Sequence, residues 1–290
     1  MRSKLFVPGS RPDFFAKALA SAADALSFDL EDSVVESRKG EARAAVAELL
    51  RTDALARCGK IVIVRVNALG TPHFEADVAA MALPALTYLN VPKTDTAADV
   101  RAAVAVLARA EVANGVTRPI GILPNIESPE GLRCAAEVAG ADPRVVGLQV
   151  GFGDLFEPLG IDRRDTQAVH AIQLAARLAA GEAGVWACDT AFADIQDAEG
   201  YRREAEAARR LGYIGKTCLH PTQIAIANDV FRPSDAEIER ALRVVAAWRD
   251  ATAANVGAVL VDGKMIDLPF ARRAEATVAI ARRLGLIGPP

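Results

Sequence analysis

The chain has 290 residues, of which 51% are hydrophobic and 24% charged, and its formal net charge is -3. This composition is typical of a soluble globular protein and excludes a disordered or low-complexity chain. Because the charge is close to neutral and the basic residues are scattered among acids, no nucleic-acid or anionic-membrane partner is expected. The length fits either one α/β barrel or two average domains.

The cysteines and the start of the chain indicate a reducing, cytoplasmic location. No C-x-x-C pair occurs, and the cysteines stand far apart at Cys58, Cys134, Cys188 and Cys218. Such spacing predicts free thiols and no zinc site. The first apolar run covers only residues 5–7 before Pro8, which is too short for a signal peptide or a membrane span.

Short apolar runs alternate with longer stretches of helical period, which is the pattern of parallel βα units. The runs predict eight strands, at residues 4–7, 25–30, 61–66, 86–91, 119–123, 145–150, 184–187 and 213–219. Helices are predicted between them, for example at 97–114 and 166–180. Eight such units predict an α/β fold of the (β/α)₈ TIM-barrel class. A doubly wound open sheet is the alternative architecture, disfavoured by the strand count and by the placement of polar residues.

The barrel is predicted to occupy residues 1–230, followed by a C-terminal helical extension at 231–290. Ser234 and Glu237 have capping-box spacing, and an apolar helix face follows at Ile238, Leu242, Val245 and Trp248. A last helix is predicted to end near residue 284. The extension exceeds what a minimal barrel needs, so it is expected to form a lid that packs on the barrel or on a neighbouring subunit.

Polar residues follow most of the predicted strands, where a barrel places its active site. They are Asp29, Glu31, Asp32, Arg65, Lys93, Glu127, Asp154, Asp189 and His220. Each also has a structural interpretation. Asp32 and Asp189 could cap helices, Asp29 could pair with Arg65, His220 could be a turn residue and Lys93 could be solvated. Their joint placement nevertheless predicts one polar rim.

Glu127 and Asp154 form the most informative pair, because they end adjacent predicted strands, which lie about 5 Å apart. Two carboxylates that close repel each other unless a proton or a cation compensates them. With oxygen ligands and no clustered His or Cys, the expected cation is Mg²⁺. Gly151 and Gly153 would let backbone N–H groups approach a bound anion, and Arg65 offers a planar fork for a carboxylate or enolate oxygen.

Several other chemistries lack their signatures. The chain has no G-x-G-x-x-G after a strand, no G-x-x-x-x-G-K-[ST] and no G-x-S-x-G. A Schiff-base aldolase would need a buried lysine near the rim, for which Lys93 and Lys216 are the candidates by position.

At these residues the sequence resembles the citrate lyase β-subunit-like (CoA ester lyase) branch of the HpcH/HpaI aldolase/citrate lyase family. The resemblance spans nearly the whole chain. It rests on LFVPGS at 5–10, DLED at 29–32, RVN at 65–67, VPK at 91–93, IE at 126–127, GFGDL at 151–155, LHPTQI at 219–224 and DGKMIDLP at 262–269. It departs at Gly153, where family members often carry Glu, and at Ser128, where they often carry Thr.

The resemblance implies a homo-oligomeric barrel, trimeric or larger, in which Glu127 and Asp154 hold Mg²⁺ and Arg65 holds substrate. It also implies that Asp267 supplies an acid or base, from its own or an adjacent subunit. The implied substrate is a CoA thioester.

These expectations combine into a Mg²⁺-dependent carbon–carbon lyase that splits a 3-hydroxyacyl-CoA, of malyl-CoA or citramalyl-CoA type, into a 2-oxo acid and acetyl-CoA. Arg65 would stabilise the enolate oxygen, and Asp267 would move the proton, with the Asp29/Glu31/Asp32 cluster less favoured. Arg65, Glu127, Gly153 and Asp154 would contact the substrate, while Ser10, Arg11 and Lys93 would meet the CoA phosphates. A malyl-CoA thioesterase and a citrate lyase β-subunit acting on an acyl-carrier-protein thioester within a complex are the alternatives.

Overall fold

The computed structural model describes residues 1–288. Residues 289 and 290, the last two of the predicted extension, lie outside the described residues. The chain divides into two compact units, Met1–Phe231 and a second that begins at Arg232.

The first unit is built on eight parallel strands, as the sequence predicts. They are β1 (Ser3–Pro8), β2 (Ala25–Asp29), β3 (Ile61–Arg65), β4 (Tyr88–Val91), β5 (Gly121–Ile126), β6 (Gly147–Val150), β7 (Trp186–Cys188) and β8 (Lys216–Cys218). Strands β1 to β7 are neighbours in sequence order, and β8 pairs with β1. The ring closes between β7 and β8 through the Asp189–Lys216 bridge, where Asp189 N donates to Gly215 O at 2.8 Å. The (β/α)₈ barrel is therefore confirmed.

Helices surround the sheet and bury their apolar faces against it. They are α1 (Phe15–Ala20), α2 (Lys39–Leu50), α3 (Asp53–Ala56), α4 (Phe74–Met81), α5 (Ala97–Ala113), α6 (Pro129–Arg133), α7 (Ala135–Ala139), α8 (Phe152–Phe156), α9 (Thr166–Glu182), α10 (Ala198–Arg210) and α11 (Pro221–Val230). The helices predicted at 97–114 and 166–180 are α5 and α9. The first N–H groups of α5 are satisfied by a capping box of Thr96 and Asp99, and those of α9 by the side chain of Asp165.

Strands β5 and β8 differ from their predicted bounds. The prediction ended β5 at residue 123, yet the strand continues to Ile126. Asn125 is tolerated there because its buried amide oxygen accepts a bond from Asn90 Nδ2 at 2.7 Å. The regular part of β8 is shorter than predicted, although Ile214 N still bonds to Ala187 O at 3.0 Å.

The second unit contains α12 (Asp235–Ala253), the hairpin strands β9 (Val259–Val261) and β10 (Lys264–Ile266), and α13 (Leu268–Arg283). The predicted Ser234/Glu237 capping box begins α12. The hairpin turns on Asp262 and Gly263, both with positive φ, which is the backbone form that a two-residue turn requires. The second unit has an apolar cluster of its own, which includes Val244, Val261, Ile266 and Val278.

No helix among residues 1–288 combines the length and apolar content that crossing a membrane requires.

Candidate active site

A cleft of about 1710 Å³ lies where the barrel strands end, and most of the predicted rim lines it. Its walls include Asp29, Asp32, Arg65, Glu127, Gly153 and Asp154. Residues that the sequence placed far apart are thus brought to one end of the barrel, as expected for this fold.

Arg65 is the cation at the centre of the β2–β3 side. Its Nε and Nη2 donate to the two carboxylate oxygens of Asp29 at 2.7 and 2.8 Å. Its Nη1 lies 2.8 Å from Glu31 Oε2 and 3.2 Å from Asp32 Oδ2. Hydrogen bonds to Asp29 and Asp32 use three of the five guanidinium N–H groups, and the approach of Nη1 to Glu31 Oε2 is an ion pair without a hydrogen bond. The structural Asp29–Arg65 pair is present, and Asp32 faces Arg65 instead of capping a helix.

Two carboxyl groups of this cluster have pKa values shifted in opposite directions. Burial by itself raises the pKa of Asp29, but the charge and hydrogen bonds of Arg65 outweigh it and hold that pKa below its usual value. Burial raises the pKa of Glu31 to about 7, against the opposing influence of Arg65 and Lys93. Glu31 can therefore gain and lose a proton near neutral pH.

Glu127 stands on the β5–β6 side, where no arginine pairs with it among the described residues. Its Oε1 accepts the backbone N–H of Lys93 at 2.6 Å, and its Oε2 lies 3.3 Å from Asn125 Nδ2. Lys93 has φ 49°, a left-handed conformation uncommon outside glycine, and this turn holds its N–H toward the carboxylate. Burial and, to a smaller extent, the nearby charge of Asp154 raise the pKa of Glu127 to about 7, against the opposing effect of the Lys93 backbone hydrogen bond.

Lys93 connects the two sides of the rim. Its ammonium lies 2.9 Å from Glu31 Oε1, 3.7 Å from Asp32 Oδ1 and 3.9 Å from Asp154 Oδ1. Burial lowers its pKa, but the hydrogen bond and charge of Glu31 outweigh this effect and raise it. The group is therefore a protonated counter-ion and not a Schiff-base nucleophile.

Gly151 makes the approach of Glu127 possible. A Cβ at position 151 would overlap the Glu127 carboxylate and stand 2.8 Å from its Cβ. At Gly153 an added Cβ would meet nothing within 4 Å, so this backbone borders open space. The residue missing from the family pattern at position 153 thus leaves room beside Asp154.

The pair fits an oxygen-bound divalent cation. Glu127 and Asp154 offer carboxylate oxygens with too little protein cation to neutralise them, which is the donor set that Mg²⁺ uses together with water or substrate. No group of three or more His, Cys, Asp or Glu arranged for a metal occurs within residues 1–288. A complete protein cage is therefore absent there, and two carboxylates would be the ligands.

Sequence reasoning missed a polar layer inside the barrel below this site. Lys4 on β1 is fully buried, and its ammonium donates to Gln149 Oε1 on β6 across the barrel. Burial lowers the pKa of Lys4 to about 8. The alternation of β1, with Lys4 and Phe6 on one face, is the signal that could have revealed it.

The structure decides two structural alternatives and one Schiff-base candidate at the other strand ends. Asp189 does not cap a helix, because it is fully buried against Lys216, with Oδ2 2.6 Å from Nζ. Burial lowers the pKa of Lys216, but Asp189 and Glu204 outweigh it and raise it, so this lysine stays charged as well. His220 is the N-cap of α11 in a capping box with Gln223.

The residues predicted to meet CoA phosphates lie on the surface or on the acidic rim. Arg11 pairs with Asp13 at 2.8 Å and stacks 3.9 Å from the centroid of the Phe14 ring. Ser10 offers its carbonyl oxygen to Arg38 Nη2 at 3.2 Å.

Asp267 belongs to the second unit and precedes α13 without capping it through its side chain. Its Oδ1 is buried and has no hydrogen-bond partner among the described residues. An unsatisfied buried carboxylate oxygen is uncommon and marks a site where a partner group is expected.

Comparisons with known proteins identify the family of this chain. The model of the HpcH/HpaI aldolase/citrate lyase family matches residues 2–221. An L-malyl-CoA/β-methylmalyl-CoA lyase of Cereibacter sphaeroides is 34% identical, with 98% of this chain and 95% of the relative covered. A (3S)-malyl-CoA thioesterase of the same species is 37% identical, with coverage of 98% and 95%. The crystal structure of the Mycobacterium tuberculosis protein CitE with magnesium, acetoacetate and coenzyme A superposes with a TM-score of 0.75, at 34% identity, covering 97% of this chain and all of that one. The chain belongs to the HpcH/HpaI aldolase/citrate lyase family.

Proposed function

We propose that this protein is a Mg²⁺-dependent carbon–carbon lyase that cleaves a 3-hydroxyacyl-CoA of the malyl-CoA or citramalyl-CoA type into a 2-oxo acid and acetyl-CoA. The observation that carries the proposal is the Glu127–Asp154 pair, in which Glu127 directly follows β5 and Asp154 lies in α8 after β6. The charge of Asp154 helps to raise the pKa of Glu127 to about 7. The membership of the family and its malyl-CoA lyase relatives support the substrate class.

Several residues of the cleft have a part in this reaction. Glu127 and Asp154 hold the cation, which when bound supplies Lewis acidity toward the substrate hydroxyl and carbonyl oxygens. Arg65 donates one of its remaining N–H groups to the thioester oxygen and stabilises the enolate, an effect worth on the order of 3 kcal/mol per well-placed donor. The backbone at Gly153 faces the substrate carboxylate, with open space beside it. Ser10, Arg11 and Lys93 are the proposed contacts of the CoA phosphates.

Asp267 is the proposed acid or base that moves the proton at the acetyl carbon, and Glu31 is the candidate within the barrel. Exchange of acetyl-CoA methyl protons with D₂O, followed by mass spectrometry, separates them. Asp267→Asn is expected to abolish exchange while Glu31→Gln retains it. Exchange that survives in Asp267→Asn and disappears in Glu31→Gln would transfer the role to Glu31.

We also propose that the protein is a cytoplasmic homo-oligomer, trimeric or hexameric, whose second unit forms a lid on the barrel or on a neighbouring subunit. Light scattering coupled to gel filtration measures the assembly. A monomeric mass would contradict this part of the proposal.

Product analysis tests the reaction itself. The purified protein is incubated with Mg²⁺ and either malyl-CoA or citramalyl-CoA, and the 2-oxo acid and free CoA are followed with an EDTA control. Glyoxylate or pyruvate appearing with acetyl-CoA, and lost on chelation, is the expected result. No 2-oxo acid from either substrate would contradict the lyase proposal.

A thioesterase is the second candidate, because the (3S)-malyl-CoA thioesterase relative is 37% identical to this chain. The same assay distinguishes it. Free CoA released together with malate would assign thioester hydrolysis to this site.

A further inference from the structure

Helix α8 carries Asp154 but has only five residues, Phe152–Phe156. A helix this short does not hold its own conformation, so the direction of Asp154 depends on what packs against α8. Phe152, the first residue of the helix, is buried between two groups. Its ring centroid lies 4.8 Å from that of Phe156 and 4.5 Å from the guanidinium carbon of Arg163.

Arg163 is itself fixed by a chain of ion pairs, which we name the Arg163 network (Arg163, Glu204, Lys216 and Asp189). Arg163 Nη1 lies 2.5 Å from Glu204 Oε1, and Glu204 Oε2 lies 2.6 Å from Lys216 Nζ. Lys216 and Asp189 are fully buried and 2.6 Å apart. The two cations and two anions balance, so no buried charge is left uncompensated.

A second attachment reaches α8 through its backbone. Phe152 N donates to Thr190 Oγ1 at 3.4 Å, and Thr190 directly follows Asp189. Both attachments thus lead from the metal-ligand helix to the place where β7 and β8 close the barrel. The network has no place in the proposed reaction, yet Arg163 and Glu204 line the same cleft as Asp154.

We propose that Arg163 and Glu204 are positioning residues that hold α8 so that Asp154 faces Glu127 across the cation. The inference rests on the proposed metal site. Residues that orient a metal ligand typically contribute about 10-fold or more to metal affinity, although they never touch the ion. An ion network that only stabilised the barrel would change the melting temperature and leave cation affinity unaltered.

The structure offers a matched control in Arg144 and Glu111. This pair is 2.8 Å apart with side-chain exposures of 23% and 6%, against 26% and 12% for Arg163 and Glu204. In both pairs the carboxylate keeps a second partner, which is Ile120 N at 2.7 Å for Glu111 and Lys216 for Glu204. Neither Arg144 nor Glu111 lines the cleft.

The test is a Mn²⁺ titration of the full chain without substrate, in which free Mn²⁺ is counted by electron paramagnetic resonance. Mn²⁺ serves as the probe because it occupies oxygen-rich Mg²⁺ sites. Arg163→Met is expected to raise the Kd for Mn²⁺ about 10-fold, while Arg144→Met stays within about twofold of the wild type. Glu204→Gln keeps the side-chain shape and is expected to act in the same direction as Arg163→Met, so it replaces that variant if Arg163→Met does not fold.

A Kd within twofold of the wild type in folded Arg163→Met or Glu204→Gln would overturn the positioning role. Asp154→Asn separates this failure from failure of the proposed function. If the wild type binds Mn²⁺ and Asp154→Asn does not, the metal site stands whatever Arg163→Met does. If Asp154→Asn binds Mn²⁺ like the wild type, both proposals fall.

Discussion

The two sides of the barrel rim compensate their carboxylates differently. On the β2–β3 side Arg65 meets Asp29, Glu31 and Asp32 directly, with Asp29 held by two parallel hydrogen bonds. On the β5–β6 side Glu127 receives a backbone N–H, and Asp154 has the Lys93 ammonium at 3.9 Å. On the β2–β3 side the protein neutralises its carboxylates with its own arginine. On the β5–β6 side it leaves negative charge that a bound cation can neutralise.

The largest expected effect comes from removing the built-in cation. Arg65→Met leaves Asp29, of which 1% is exposed, without its partner. Loss of one partner of a buried pair lowers the free energy of unfolding by about 3–5 kcal/mol, which urea denaturation measures. Arg202→Met is the control, because its pair with Asp229 is largely exposed and contributes at most about 1 kcal/mol. Equal midpoints for the two variants would contradict the structural role of Arg65.

The second largest effect is expected where the Gly151 backbone approaches the Glu127 side chain. Gly151→Ala places a methyl group against Glu127 and is expected to lower the free energy of unfolding by about 1–3 kcal/mol. Gly153→Ala enters open space in the same helix region and is expected to change it by less than about 0.5 kcal/mol. Both values come from urea denaturation of the metal-free protein. A larger loss of stability in Gly153→Ala than in Gly151→Ala would contradict the tight contact between Gly151 and Glu127.

The pKa of about 7 for Glu127 predicts two opposite pH dependences. The stability of the metal-free protein falls as the pH rises, whereas its affinity for Mg²⁺ grows. A carboxyl group whose pKa is raised in the folded state binds more protons there than when unfolded. The metal-free protein therefore loses this contribution to stability as the pH rises from about 4.5 to about 7. Mg²⁺ needs the ionised group, so its apparent affinity is expected to fall about 10-fold for each pH unit below 7.

Melting temperatures with and without Mg²⁺ between pH 6 and 8 measure this dependence. The stabilisation by Mg²⁺ is expected to grow with pH in the wild type, and Glu127→Gln is expected to show little at any pH. A Mg²⁺ effect that is the same at pH 6 and pH 8 would contradict the assigned protonation.

The smallest effect is expected at the surface. Arg11 is exposed and paired with Asp13, so its contact with a CoA phosphate would be screened by solvent. Arg11→Ala is expected to raise KM for the CoA thioester roughly two- to fivefold with kcat unchanged. Asp13→Ala, which frees Arg11, should lower KM or leave it alone. A drop in kcat would show that Arg11 does more than hold the phosphates.

Most of the fold could be predicted from the sequence, because apolar runs and helical periods are local signals. It also placed Glu127 and Asp154 together, since parallel strands in register bring their ends to one rim. Lys216 was a candidate buried lysine by its position, but the burial of Lys4 and the partners of both lysines were not predictable. Lys4 is satisfied by Gln149, and Lys216 by Asp189 and Glu204, and these pairings arise only when distant segments meet in the barrel. The extent of β5 was wrong for the same reason, because Asn125 is satisfied by Asn90 on the neighbouring strand.

The most direct test of the central claim is isothermal titration of Mg²⁺ into the wild type and Glu127→Gln at pH 8. The account predicts one Mg²⁺ per chain in the wild type, with proton release that grows as the pH is lowered toward 7, and no measurable binding in Glu127→Gln. Equal Mg²⁺ binding by the two proteins would show that the β5–β6 carboxylate pair is not the cation site.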